Sequence, residues 1–417
     1  DEAVNEYGLD EEDVMNKGYK IYTALDQDYQ KQLEATYQNN ALFPANASDG
    51  AMVQSASVAL DPNTGGVQAL VGRRGDHVFR GFSFATQMRR SPGSTIKPLS
   101  VYTPALEAGY KPSSVLKDEP QSYYDAHNFD GTYQGEVPMY QAVAQSLNLP
   151  AVWLLHEIGL QKGYDKAEEF GLPLAKSDKY YGLALGGLEK GVSPMIMAGA
   201  YSAFANEGQM YTPHLITKIV DSTGAVIIDN TNKKPKQVIS KETADEMTSM
   251  LLGTFSNGTA AAANPAGYTI AGKTGTTETN FDATKANDQW MIGYTPDVVI
   301  STWMGFEESS KLHYLEGTSG NVVGKVFKSA AEGILPYTSK TGFSVADAYA
   351  TGGQVVAADQ VGNTGNSNGD SGNWQDNLNQ YGEQAKEGLK NFGDTVKEGV
   401  QGIGEAAKDL WRKYQGE

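Results

Sequence analysis

The order in which strand-like and helix-like segments follow one another is the strongest constraint on the fold. Apolar runs at 56–60 and 67–71 flank Asp61-Pro62-Asn63-Thr64-Gly65-Gly66, a turn-rich spacer that predicts a β-hairpin. Helical patterns follow over 94–110, 138–160, 164–171 and 193–207. A second hairpin, 216–220 with 226–229 around Ser222-Thr223-Gly224, precedes a helical segment at 241–254. Strand patterns then return at 268–273, 289–294 and 298–304. Strands at both ends of a helical stretch predict an α+β fold in which the first hairpin joins the late strands in one antiparallel sheet, flanked by helices.

The segments outside this body read differently. Residues 1–50 are polar and acidic, and read as a small leading piece with a short helix at 9–16, a strand at 19–24 and a helix at 26–39 capped by Asp26. The main domain is expected over 51–349. Residues 350–385 are rich in Gly, Asn, Ser and Asp and read as a flexible linker. In 386–417, Lys386, Lys397 and Lys408 recur at an 11-residue step. That period lines up Leu389, Phe392, Val396, Val400, Ile403, Ala407, Leu410 and Trp411 on one helical face. This amphipathic tail reads as a flexible C-terminal extension, or as a helix formed on a lipid surface or a partner protein. The chain opens at Asp1 without methionine and is expected to be a fragment or a processed product; no run approaches the ~20 apolar residues of a membrane span, so any anchor is expected upstream.

Composition narrows the chemistry. A net charge of −17 argues against nucleic acid as a partner, because phosphate binding needs a basic surface. Zero cysteines exclude disulfides, thiolate metal sites and cysteine nucleophiles, and five scattered histidines make a histidine metal site improbable. No metal and no cofactor are expected. The reactive groups must come from Ser, Thr, Lys, acidic side chains and the backbone.

Three short motifs carry such groups. Ser94-Thr95-Ile96-Lys97 is a Ser-x-x-Lys; on a helix the Lys amine at i+3 shares a face with the Ser hydroxyl and, unprotonated, can activate it. Gly93 before it allows a close approach of backbone to substrate. Chance gives roughly one or two such matches in a chain this long, and Ser114-Val115-Leu116-Lys117 is a second, read as bland surface in a Pro-flanked loop. Ser146-Leu147-Asn148 is a Ser-x-Asn inside an apolar helical region, whose hydroxyl can relay protons and whose amide can bind a peptide. Other copies, Ser319-Gly320-Asn321 and Ser371-Gly372-Asn373, sit in Gly-rich stretches and are set aside. Lys273-Thr274-Gly275-Thr276-Thr277 is placed at a strand end, where backbone N–H groups, hydroxyls and the Lys charge suit a carboxylate. Lys340-Thr341-Gly342 lacks that context. Each motif alone is weak; the ordered set is the signature class of penicillin-binding proteins and serine β-lactamases.

With these motifs in place, the chain resembles the transpeptidase domain of a class A, bifunctional penicillin-binding protein over roughly 18–330. The resemblance extends to Val58-Ala59-Leu60-Asp61-Pro62-Asn63-Thr64-Gly65, Leu185-Gly186-Gly187, Gly191-Val192-Ser193-Pro194, the run from Ala200 to Gly208, and Asp288-Gln289-Trp290. Residues 18–26 resemble the linker that follows the family's glycosyltransferase domain. The resemblance implies a penicillin-binding/serine β-lactamase-like fold with a largely helical subdomain. It implies an acyl transfer on peptidoglycan stem peptides ending in D-Ala-D-Ala, with Ser94 as nucleophile, Lys97 as base, and Ser146 with Lys273 relaying the proton to the leaving amine. The backbone N–H groups of Ser94 and Thr276 would form the oxyanion hole. Asn148 would hold the substrate amide, and Thr274, Gly275, Thr276 and Thr277 would line the carboxylate end. An amine acceptor would complete the cross-link, and β-lactams would acylate Ser94. A D,D-carboxypeptidase, a β-lactamase-like hydrolase, and a β-lactam-sensing or wall-binding module remain alternatives on the same fold. An N-terminal glycosyltransferase domain, a membrane anchor and a place on the extracytoplasmic face of a Gram-positive cell membrane are expected of the full-length protein.

Overall fold

Twelve strands, numbered in chain order, account for the sheets of the computed structural model, which describes residues 2–76 and 79–361. They are β1 Lys20–Thr23, β2 Gln54–Leu60, β3 Val67–Val71, β4 Val115–Asp118, β5 Gly135–Pro138, β6 Gln209–Met210, β7 Ile216–Val220, β8 Val226–Asp229, β9 Lys236–Gln237, β10 Ala271–Glu278, β11 Ala286–Tyr294 and β12 Val299–Gly305. The main sheet has the order β10-β11-β12-β2-β3 and is antiparallel throughout. The first hairpin therefore does pair with the late strands, through β2 against β12. The predicted α+β arrangement holds.

The sheet is covered on both faces, and the period of two along each strand divides the core. Trp290, Ile292 and Tyr294 of β11, Trp303 of β12 and Val58 and Leu60 of β2 join a core built mainly from helices between the two halves of the sheet. Met291, Ile300, Met304 and Ala59, one residue out of phase, join a second core on the other face. That second core contains Tyr29, Leu33 and Tyr37 of the helix Gln27–Gln38 and Val326, Phe327 and Ala330 of the helix Val323–Ile334.

Part of the expected leading segment, residues 1–50, packs into this body. The helix Gln27–Gln38 starts on Asp26, whose carboxylate accepts from Asp28 and Tyr29 N–H, and it packs into the main body. Its Tyr37 hydroxyl bonds to Ser55 and Ser57 of β2 at 3.0 and 2.7 Å. The body also runs past the expected end at 349: Ala346 N–H donates to Val356 and Ala358 N–H to Ser344, and the compact unit extends through Ala358. The amphipathic tail, most of the linker and Ser371 lie outside the described residues.

Two predicted helices are broken, and both breaks fall at motifs. The segment 94–110 is a 3-10 turn Gly93–Ile96, a π turn Pro98–Tyr102 and an α-helix Thr103–Glu107. Pro98 has no N–H to continue a regular ladder from the 3-10 turn. The segment 138–160 is two helices, Met139–Ala144 and Leu149–Ile158, separated at Ser146, whose φ is +59°. The strand expected at 268–273 begins only at Ala271 and continues to Glu278, so the Lys-Thr-Gly lies within an edge strand. Ser114–Lys117 is not a surface loop: β4 covers Val115–Asp118 and pairs with β5.

Candidate active site

The edge strand β10 and the turn carrying Ser94 approach one another closely. A Cβ added to Gly93 would lie 2.5 Å from the Thr276 carbonyl oxygen and 2.9 Å from its nitrogen. One added to Gly275 would lie 2.5 Å from the Pro92 oxygen. Only glycine lets the two backbones meet, and Gly93 also holds a φ of +53°, which favours it. Behind this contact, Gly186 backs directly onto Gly93, and Ser91 donates its hydroxyl hydrogen to the Gly186 carbonyl at 2.6 Å. The resemblance at Leu185-Gly186-Gly187 thus has a packing cause.

Ser94 opens onto a cleft of about 630 Å³. Ser146, Asn148, Thr274, Gly275, Thr276 and Thr277 line the same cleft. Lys97 and Lys273 lie fully buried beneath it.

Ser146 links the two lysines. Lys273 Nζ donates to Ser146 Oγ at 2.6 Å and to the Thr274 carbonyl at 3.2 Å. Lys97 Nζ donates to the carbonyls of Ser146 and Leu147 at 2.7 and 2.9 Å and to Asn148 Oδ1 at 2.6 Å. The left-handed backbone of Ser146 is what turns its carbonyl to one amine while its hydroxyl meets the other. The expected Ser94–Lys97 contact is not among these bonds: the amine reaches beyond Ser94 to the break between the two helices.

No carboxylate lies within ion-pair distance of either amine among the described residues. Burial brings Lys273 down to about 7. Burial first, and then the charge of Lys273, push Lys97 well below the ordinary lysine value. Two amines buried together without a counter-ion disfavour the doubly charged state, so their protons are coupled. The site can therefore hold a neutral amine near neutral pH beneath the half-buried Ser94 hydroxyl that lines the cleft.

The remaining predicted residues are less free than the motif implies. Asn148 gives its oxygen to Lys97 and one amide hydrogen to the His127 carbonyl at 2.9 Å, which leaves one hydrogen for a ligand. Thr274 Oγ1 meets Thr259 Oγ1 at 2.6 Å. Thr277 donates to Asp288 Oδ2 at 2.9 Å, and Trp303 Nε1 donates to the other oxygen of that carboxylate at 2.9 Å. Burial raises the Asp288 pKa against the opposing pull of Arg90. Trp290 Nε1 donates to the Ser91 carbonyl at 2.9 Å. Asp288-Gln289-Trp290 thus ties the sheet to the Ser94 turn.

Sequence reasoning missed three contributors. Asn128 accepts Asn148 and Leu149 N–H at 2.8 and 3.2 Å, satisfying N–H groups at the buried start of the helix Leu149–Ile158 from a preceding loop. Asp118, next to the second Ser-x-x-Lys copy at Ser114–Lys117, is fully buried and accepts from Asn128 Nδ2 at 2.7 Å and Gln134 N–H at 2.8 Å. Ser319, also in a discarded motif copy, is buried against Gly275 and Thr276 and lines the cleft. Its Ser-x-Asn pattern was the available signal, misleading because it sits after the strand motifs in a Gly-rich stretch. Lys340-Thr341-Gly342 lies outside the cleft, with Thr341 N–H bonded to Asp297.

Known proteins are similar to this chain over most of its length. Residues 55–332 match the family model for the penicillin binding protein transpeptidase domain. Penicillin-binding protein 2a of Streptococcus pneumoniae is 50% identical over 363 residues, covering 85% of this chain and 49% of that protein. Penicillin-binding protein 1F of Bacillus subtilis is 39% identical over 346 residues, covering 82% of this chain and 46% of that protein. The chain thus spans about half the length of these curated relatives. Among solved structures, the PonA1 protein of Mycobacterium tuberculosis in complex with penicillin V superposes with a TM-score of 0.70 at 26% identity, over 83% of this chain and 93% of that one.

Proposed function

The chain belongs to the penicillin-binding protein transpeptidase family, and we propose that it is a serine-type D,D-transpeptidase that cross-links peptidoglycan stem peptides. The observation that carries this reading is the pair of buried amines joined through Ser146 beside the open hydroxyl of Ser94. Ser94 Oγ attacks the carbonyl carbon of the penultimate D-Ala while Lys97, in its neutral form, takes the hydroxyl proton. To do so Lys97 need release only one of its three acceptors, and apo hydrogen bonds of this kind commonly tighten when substrate binds. Ser146 then passes a proton, replenished from Lys273, to the leaving amine, and the C–N bond breaks.

The N–H groups of Ser94 and Thr276 receive the developing oxyanion; one such donor is typically worth ~3–4 kcal/mol. The remaining amide hydrogen of Asn148 holds the peptide. The hydroxyl of Thr274, backed by Lys273, meets the terminal carboxylate, while Thr276, Thr277 and Gly275 shape the strand edge. The amine of a second stem peptide attacks the Ser94 ester and forms the cross-link. β-Lactams acylate the same serine. No step calls on a metal or cofactor.

The glycosyltransferase domain, membrane anchor and place on the extracytoplasmic face of a Gram-positive cell membrane that the resemblance implies are proposed for the full-length protein, and the curated relatives, about twice the length of this chain, leave room for such further parts. No helix among the described residues is long and apolar enough to cross a membrane.

Mass spectrometry after penicillin treatment tests the assignment. The expected adduct is on Ser94 and disappears in Ser94→Ala; an adduct elsewhere overturns it. A thioester donor with and without a D-amino-acid acceptor separates the chemistry. Transfer to the amine is expected, and hydrolysis alone would make the protein a carboxypeptidase or β-lactamase instead.

A further inference from the structure

Ser319 stands behind the strand edge that faces the nucleophile. It is 3% exposed, and its Oγ lies 2.6 Å from the Gly275 carbonyl oxygen and 2.7 Å from Thr276 Oγ1. A carbonyl can only accept, so the single Ser319 hydrogen goes to Gly275 and the Thr276 hydroxyl must donate to Ser319. Both groups that Ser319 holds belong to the residues at the mouth of the proposed oxyanion hole.

The backbone geometry gives this contact a direction. Along an antiparallel strand a residue's N–H and C=O point to one side and alternate with those of its neighbours. The nitrogen and oxygen of Thr276 face the Gly93 turn, on the free edge of β10. The Gly275 carbonyl therefore faces away from that turn. Gly275 C=O and Thr276 N–H are the two ends of one trans peptide unit, and they point in opposite directions. Ser319 binds one end, and the other end faces the nucleophile. A hydrogen bond to the carbonyl fixes the plane of the unit and polarises it, which strengthens its N–H as a donor.

We propose that Ser319 is a positioning residue for acyl transfer: its hydroxyl orients and polarises the Gly275–Thr276 peptide so that the Thr276 N–H stabilises the oxyanion formed at Ser94. The inference rests on the transpeptidase reading and on Thr276 as an oxyanion donor. It separates Ser319 from residues that merely pack, because its effect falls on the transition state rather than on ligand affinity.

The test is penicillin acylation followed by stopped flow, which separates the initial dissociation constant from the acylation step, with infrared measurement of the acyl-enzyme ester carbonyl. Ser319→Ala is expected to slow the acylation step about tenfold, a fraction of the loss of a whole oxyanion donor. The dissociation constant should stay within about twofold, because the lost contribution is specific to the transition state. The ester carbonyl stretch should move to higher wavenumber as its hydrogen bonding weakens. Ser319→Thr, which keeps the hydroxyl, should restore rate and stretch. If the alanine variant does not fold, Ser319→Cys, with a weak thiol donor of similar shape, carries the same comparison. An acylation step or carbonyl stretch equal to wild type overturns the proposal, as does a loss confined to the dissociation constant. Wild-type protein that takes no penicillin on Ser94 would instead overturn the transpeptidase reading itself.

Discussion

Ser146 serves two lysines at once, and the electrostatics of the site follow from that. Its carbonyl accepts from Lys97 and its hydroxyl from Lys273, so neither amine can be changed without altering the other. In Lys273→Met the charge that helps to depress Lys97 is gone. The Lys97 pKa then rises, and the acid limb of the acylation rate profile should move to higher pH; an unmoved limb would show that the two amines do not share protons. Stability carries the same signature. Lys273 titrates near 7 in the folded protein against an ordinary 10.5, so the unfolded chain binds more protons across that window. Stability from this group therefore rises as pH increases from about 7 towards 10.5. In urea denaturation between about pH 7 and 9, wild type should gain on Lys273→Met; parallel curves would refute the shift.

At the scale of elements, the site is made where regular structure stops. Periodicity read 94–110 and 138–160 as continuous helices, and both are interrupted at the chemistry. Pro98 marked the first break in the sequence. The second was invisible, because Ser146 adopts a left-handed conformation that its residue type does not favour and only the surrounding contacts hold. The contact between the Ser94 turn and β10 makes Gly93→Ala informative. The new Cβ would fall 2.5 Å from Thr276 O, and acylation should drop about a hundredfold from displacement of the strand edge. Gly109→Ala is the control: φ is also positive, at +98°, but nothing lies within 4 Å, so acylation should be unchanged. Equal losses in both would assign the effect to backbone strain alone.

Across the whole molecule, the polar leading segment proves structural. Leu33 is fully buried between the sheet and the helix Val323–Ile334, and Leu33→Ala should cost roughly 2–5 kcal/mol in urea denaturation. A fragment starting at Ala51 exposes that face of the sheet and should lose cooperative unfolding; a two-state transition at wild-type stability would restore the boundary near Ala51. The sequence by itself determined the strand and hairpin pattern, the pairing class of the sheet, and the three ordered motifs, because these depend on residue type and local spacing. Only the tertiary structure decided that Lys97 points to Ser146 and Asn148, that Asn128 and Asp118 brace the cleft, and that Ser319 belongs to the site. Those contacts join residues far apart in the chain, and no local pattern encodes which distant hydroxyl or amide will satisfy a buried group. The Ser94–Lys97 pairing shows the limit most directly: helical spacing placed the two on one face, but burial and the break at Ser146 decided where the amine would find its partners.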